Sequence, residues 1–147
     1  RQMCIRDSSQ AMRSREIHRT YQAFALGETA ASGTIDAPIA RLNGSLIQRT
    51  VDFASGERSV THYRTLAHCS VFSHLELNLE TGRTHQIRVH MAYIGHPLLG
   101  DTLYNKTPGT FPRQALHSAS LSFVHPITGE PLNFHAPLPE DMQNLLT

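Results

Sequence analysis

The chain has 147 residues, 39% of them hydrophobic and 17% charged, enough for one domain with a packed core. A net charge of +1 gives no bulk attraction to a polyanion, and no apolar run approaches the roughly 18 residues that suggest a membrane span. Arg1–Gln10 lacks the apolar stretch of a secretory signal, and Cys4 and Cys69 are too few for a disulfide framework, so a reducing cytoplasm is the expected compartment.

The pattern predicts an α+β domain with more strand than helix. Arg15–Leu26 alternates, carries Tyr21 and Phe24, and ends at Gly27, the signature of a strand. Thr34–Ile39 reads as a short strand with Pro38 at an edge, and Asn43-Gly44 as a turn suited to a hairpin. Gln48–Phe53 and Val60–Leu66 follow as strand-like runs. In Val71–Leu79 the apolar residues Val71, Leu75, Leu77 and Leu79 share one parity, against Ser70, His74, Glu76 and Asn78 on the other. That is the alternation of a half-buried strand. Over Thr84–Ile94 the period changes: Ile87, Met91 and Ile94 form the buried stripe of a short helix, and Gly95 stands where a helix would end. Leu116–Val124 and Leu132–His135 predict closing strands around the turn Pro126–Gly129, and Pro139–Leu146 a terminal helical turn. Arg1–Ser8 fits none of this logic. The expected organisation is therefore a foreign or disordered leader over residues 1–10 and one domain over 11–147.

The chemistry concentrates in Thr81–Tyr104. Two arginines, two histidines and a glutamine crowd the first turns of the predicted helix, where backbone N–H groups already favour an anion. Twelve of the thirteen basic residues are arginine, whose planar fork suits phosphates and carboxylates. Arg83 and Arg88 are five residues apart, roughly 500° around a helix. Arg83 is therefore assigned to the turn and Arg88 to the helix, with His85 and Arg88 able to point the same way. Arg88 is expected to meet a buried carboxylate or a phosphate; the alternative is an exposed side chain lying over Met91. Tyr21 has two readings as well, a half-buried core aromatic or a platform on which a base stacks. Histidine spacing argues against a metal site: His85 and His90 lack the four-residue step of a zinc helix. No Gly-x-Ser-x-Gly turn or phosphate loop is present.

The run Thr81-Gly82-Arg83-Thr84-His85-Gln86-Ile87-Arg88-Val89-His90, followed by Gly95-His96-Pro97-Leu98-Leu99-Gly100-Asp101-Thr102-Leu103-Tyr104, resembles the RluA-type pseudouridine synthases, which isomerise uridine within RNA. His18-Arg19-Thr20-Tyr21-Gln22-Ala23 is similar to a second element of that family. Leu116–Ala119, Phe123–Glu130 and Ala136–Pro139 are similar to its closing segments. The resemblance implies a mixed, mostly antiparallel sheet with a few short helices and an RNA cleft across its face. It also implies chemistry that needs no metal or cofactor. An aspartate starts the reaction, the arginine matching Arg88 pairs with that aspartate, and the tyrosine matching Tyr21 stacks on the flipped base. Arg83, His85, Gln86 and Arg19 are the side chains expected to hold RNA. Ribosomal or transfer RNA is the expected partner, and the chain is expected to be a monomer with no membrane association.

One departure matters. The family's aspartate lies in a His-Arg-Leu-Asp segment upstream of the tyrosine, and nothing here matches it. Ile5-Arg6-Asp7-Ser8 is a poor imitation, and Ala40-Arg41-Leu42-Asn43 echoes the motif after Tyr21 and without the acid. Asp36, Asp52 and Asp141 are assigned to turns or the terminal segment, and Asp101 to a structural Gly-Asp turn. The chain is thus expected to be an N-terminally truncated catalytic domain, inactive by itself. The alternative is a non-catalytic RNA-binding relative.

Overall fold

A computed structural model describes residues 17–147; the expected leader, Asp7 and the start of the first predicted strand lie outside the described residues. Among the described residues, eight strands form two sheets. The elements are β1 (Ile17–Leu26), β2 (Ser32–Asp36), β3 (Ile39–Arg41), β4 (Arg49–Val51), β5 (Val60–His68) and β6 (Phe72–Leu79). Helix α1 (Gln86–Tyr93) follows, then β7 (Leu116–Val124), β8 (Pro131–His135), helix α2 (Glu140–Gln143) and a 3-10 turn over Asn144–Leu146. The large sheet runs β2-β5-β6-β1-β7-β8, and β3 pairs with β4 in a separate hairpin. Among the described residues every strand pairing is antiparallel, the extreme of the mostly antiparallel sheet expected.

Parity decides what each face does. Tyr21, Ala23 and Ala25 of β1 oppose Leu77, Leu75 and Ser73 of β6. This face buries Ala23, Ala25, Leu75 and Leu77 under Ile87 and Met91 of α1. The opposite parity carries polar pairs: Thr20 with Asn78, Gln22 with His74, and Arg64 of β5 with Glu76. Phe24 leaves this polar series to stack on His74 at 4.5 Å and to join Ala115 and Met142 in a second cluster. The register of β1 against β7 slips between Thr20 and Tyr21, so a bulge re-aims the strand at the tyrosine.

The predicted strand Thr34–Ile39 divides into β2 and β3, because Ala37-Pro38 interrupts the ladder and turns the chain into the hairpin. Helix α1 ends as its sequence implies. Gly95 takes φ +90°, its N–H bonds the carbonyl of Ala92, and the His96 N–H reaches the carbonyl of Met91, a Schellman closure. Among the described residues no helix is long and apolar enough to cross a membrane.

Candidate active site

Helix α1 is placed by a buried polar network built from its own sequence. Gln86 is 2% exposed, and both ends of its amide are used. Its Oε1 accepts from the Thr81 hydroxyl and the Arg83 N–H, at 2.8 and 3.0 Å, while Nε2 donates to the Val60 carbonyl and the Thr61 hydroxyl. Gln86 was expected to hold RNA. The structure leaves it no free donor, and its observed role is to fold the turn that carries Arg83. One turn on, His90 is fully buried, with Nε2 against the Ala37 carbonyl and Nδ1 against the Thr61 hydroxyl, each at 2.8 Å. A carbonyl accepts only, so the ring proton sits on Nε2 and Nδ1 accepts from Thr61.

Arg88 projects from the same helix onto Asp101. Its Nε and Nη2 donate to Oδ2 and Oδ1, both at 2.9 Å, in a side-on fork. Asp101 has no exposed side-chain surface, and Arg88 only 14%. Oδ1 also accepts the N–H groups of Leu103 and Tyr104, which closes the turn after Gly100. Burial opposes the charged form of Asp101, but the Arg88 fork, its positive charge and the two N–H groups outweigh burial, holding the carboxyl below its usual range. The Asp101 hydrogen bonds likewise raise the Arg88 pKa against the effect of burial. The sequence gives Arg88 a carboxylate partner upstream of Tyr21 and gives Asp101 a turn to hold. The turn role of Asp101 is present, and the structure adds a partner: Arg88 and Asp101, in separate segments joined by a Gly/Pro turn, grip each other. The fork occupies one edge of the guanidinium, and Nη1 keeps its N–H groups.

Tyr104, the last residue of the second motif, organises the surroundings. Its ring lies 5.1 Å from the Arg88 guanidinium carbon, and its hydroxyl sits 2.7 Å from His85 Nδ1 and 2.9 Å from the Arg49 N–H. Since Arg49 donates to the phenol oxygen, the pairing that also uses the phenol proton has it donating to His85. Burial raises the Tyr104 pKa and so keeps that proton in place. His85 then carries its own proton on Nε2. Burial first, then the charges of Arg88 and Arg49, lower the His85 pKa, so the ring is neutral. His85 is also the sole described non-glycine residue with positive φ, +57°, at the N-cap of α1. That conformation costs about 1–2 kcal/mol and is held by the Tyr104 contacts.

Tyr21 packs against the cluster that contains Ile87 and Met91, on the face covered by α1, and its hydroxyl has no hydrogen-bond partner among the described residues. Arg83 lies at the surface, with Nε on the Arg58 carbonyl and Nη1 on Glu57 at 2.8 Å. Arg19 stands apart, beside a cleft of about 330 Å³ that it lines with His18, His62 and Glu80. The structure thus gathers His85, Arg88, Asp101 and Tyr104 into one cluster, sets Tyr21 on the sheet beneath α1, and leaves Arg19 in a different cleft.

The family described as RNA pseudouridylate synthase matches residues 2–93. An uncharacterised RNA pseudouridine synthase, YjbO of Bacillus subtilis, is 50% identical over 139 residues, 94% of this chain and 49% of the relative. Ribosomal large subunit pseudouridine synthase D of Vibrio cholerae is 47% identical over 148 residues, covering 90% and 45%. The enzyme of that name from Escherichia coli K12 is 44% identical over 151, covering 93% and 46%. The chain spans about half the length of the curated relatives it matches. Among solved structures, human RNA pseudouridylate synthase domain containing 1 superposes with a TM-score of 0.76 at 26% identity, covering 88% of this chain and 58% of that one. Human RNA pseudouridylate synthase domain containing 4 shares the fold, with a TM-score of 0.77 at 21% identity over 96% of this chain and 65% of that one. The order of motifs from Arg19 to Tyr104, the antiparallel sheet and these likenesses agree: the chain belongs to the RNA pseudouridylate synthase family, in its RluA-type branch.

Proposed function

We propose that this chain supplies the base-holding and arginine-bearing side of a site that converts uridine to pseudouridine in ribosomal RNA. The observation that carries the reading is the side-on grip of Asp101 on Arg88, which fixes the guanidinium in a largely buried position and leaves Nη1 directed elsewhere. A guanidinium anchored along one edge can hold a second carboxylate on the other, keeping it ionised and aimed. In the reaction the N1–C1′ bond of uridine breaks, the uracil turns, and C5 bonds to C1′. The proton on C5 must then leave, and N1 must gain one. Tyr21, whose phenol has no partner among the described residues, stands on a strand bent by a bulge and is suited to stack on the base and assist that proton transfer. The names of the Vibrio and Escherichia relatives favour ribosomal over transfer RNA as the target. Cysteine usage favours the cytoplasm, and we read the protein as a monomer.

The test is tritium release from 5-labelled uridine in ribosomal RNA transcripts, using the natural protein that carries this sequence. Tyr21→Phe and Arg88→Ala are expected to lower kcat at least roughly a hundredfold while RNA binding persists. Full turnover by either variant refutes the assigned roles. The 147-residue chain by itself is expected to bind RNA and release no tritium. Salt-dependent binding without turnover by the natural protein identifies a non-catalytic relative instead.

A further inference from the structure

We propose that the β3–β4 hairpin carries a phosphodiester-binding site of its own, formed by Arg41 and Arg49 facing Arg83 across a cleft. It rests on the reading of the chain as an RNA-acting protein and names a contact that would hold the backbone outside the Arg88 cluster.

The hairpin register sets Arg41 directly opposite Arg49. Like charges in that relation destabilise a strand pair, so the arrangement calls for an anion between or beside them. Neither guanidinium meets a carboxylate among the described residues. Arg41 is exposed and makes no side-chain contact, while Arg49 spends Nη1 only on the carbonyl of Ile47, two residues away in its own chain. Both open onto a cleft of about 370 Å³ whose far wall is Gly82, Arg83 and Thr84, with Glu57 at its side. Three guanidiniums therefore surround this space against one carboxylate, and that carboxylate, 72% exposed, is already engaged by Arg83.

The stem is held in place before any ligand arrives. On the same face as the two arginines, Val51 packs against the main core and Ile39 is buried with 4% exposure. The Arg49 N–H is fixed on the Tyr104 hydroxyl. At the base, Gly56 lies so close to the Asp52 carbonyl and to Pro38 that a Cβ there would collide with both. Two forks of fixed origin, each with parallel donors, match the two non-bridging oxygens of a phosphodiester. The segment Ala40-Arg41-Leu42-Asn43 thus has a use unrelated to the motif it echoes.

The test compares the 147-residue chain with its R41Q/R49Q variant in two measurements. One is the thermal midpoint in inorganic phosphate against chloride of equal ionic strength. The other is affinity for a structured RNA over a salt series. We expect phosphate to stabilise the wild-type chain and not the variant. We also expect the variant to bind RNA roughly tenfold more weakly, irrespective of sequence, with a salt slope shallower by about 1. Unchanged phosphate stabilisation together with an unchanged salt slope overturns the site while leaving RNA binding standing. Phosphate stabilisation that depends on the two arginines, in a chain that binds no RNA, keeps the anion site and removes the RNA reading. Without phosphate the variant should melt no lower than wild type, since an opposed like-charge pair has gone. If the double variant does melt lower, R41Q, at an exposed position without contacts, carries the same comparison.

Discussion

Replacing Asp101 by asparagine removes one charge from the molecule and almost no volume, so it isolates the electrostatic part of the Arg88 grip. Asparagine keeps an oxygen that can accept from Leu103 and Tyr104, and the turn can persist. What is lost is half of the fork and all of the charge opposite a guanidinium that is only 14% exposed. Removing one partner of a buried pair costs about 3–5 kcal/mol; because the turn hydrogen bonds survive, the low end, about 3 kcal/mol, is expected. For a chain of this size that is a fall in Tm of roughly 6–12 °C. The assay is urea unfolding followed by far-UV circular dichroism at neutral pH, with Arg88→Met and the double variant completing a cycle. The coupling energy should be about 2 kcal/mol or more. The exposed pair Arg64–Glu76, with side chains 64% and 30% accessible, serves as the control, and Glu76→Gln should cost less than about 1 kcal/mol. Acid supplies an independent arm. The folded pKa of Asp101 lies below its ordinary value of 3.8, so its contribution is complete above that pH and is lost as pH falls through the folded value. The gap between wild type and Asp101→Asn must therefore close on strong acidification. A variant within about 0.5 kcal/mol of wild type, or a coupling near zero, refutes the claim that this pair is a desolvated, mutually dependent unit.

Burial lowers the pKa of His90 in the folded chain, against an opposing hydrogen bond to the Ala37 carbonyl, and burial likewise lowers that of His74. The unfolded chain then binds more protons below the ordinary value of 6.5, so stability is complete above about that pH and declines as pH falls. Urea midpoints should drop between about pH 7 and about pH 5.5, and a flat or rising profile contradicts the assignment. Two glycines separate backbone strain from collision. Gly44 has φ +82° in open space, whereas Gly100 has φ +73° with the Arg113 carbonyl where a Cβ would sit. Gly44→Ala should cost about 1 kcal/mol and Gly100→Ala more than about 2, and equal losses in urea unfolding count against the collision.

Much of the scaffold was legible because it rests on short-range pattern. The alternation through Leu75, Leu77 and Leu79 and the stripe Ile87–Met91 each name a buried face from a few neighbouring residues, and both faces meet as their periods require. Arg83 in a turn and Arg88 on a helix follow from the same reasoning. The partner of Arg88 does not, because nothing local to Asp101 distinguishes a turn-closing carboxylate from one that also reaches another segment. Tyr104 is hidden for a similar reason, since its phenol touches Arg49, far away in the sequence. The burial of Gln86 is hidden because a polar residue in an arginine-rich turn reads as exposed, and only the packing of α1 against β5 buries it. Arg41 opposite Arg49 depends on the length of the loop between them, which Asn43-Gly44 suggests but does not fix.

The position of β1 has a consequence for how the protein is made. Although it is the first described strand, it lies in the interior of the sheet, and its two neighbours come much later: β6 begins at Phe72 and β7 at Leu116. Ile17 pairs with Phe123, so the strand that bears Tyr21 cannot complete its ladder until the chain as far as Phe123 has left the ribosome. Such non-local pairing slows folding and leaves unpaired strand edges waiting in the meantime. During synthesis, then, the tyrosine is one of the earliest of these site residues to be made and one of the last to find its place.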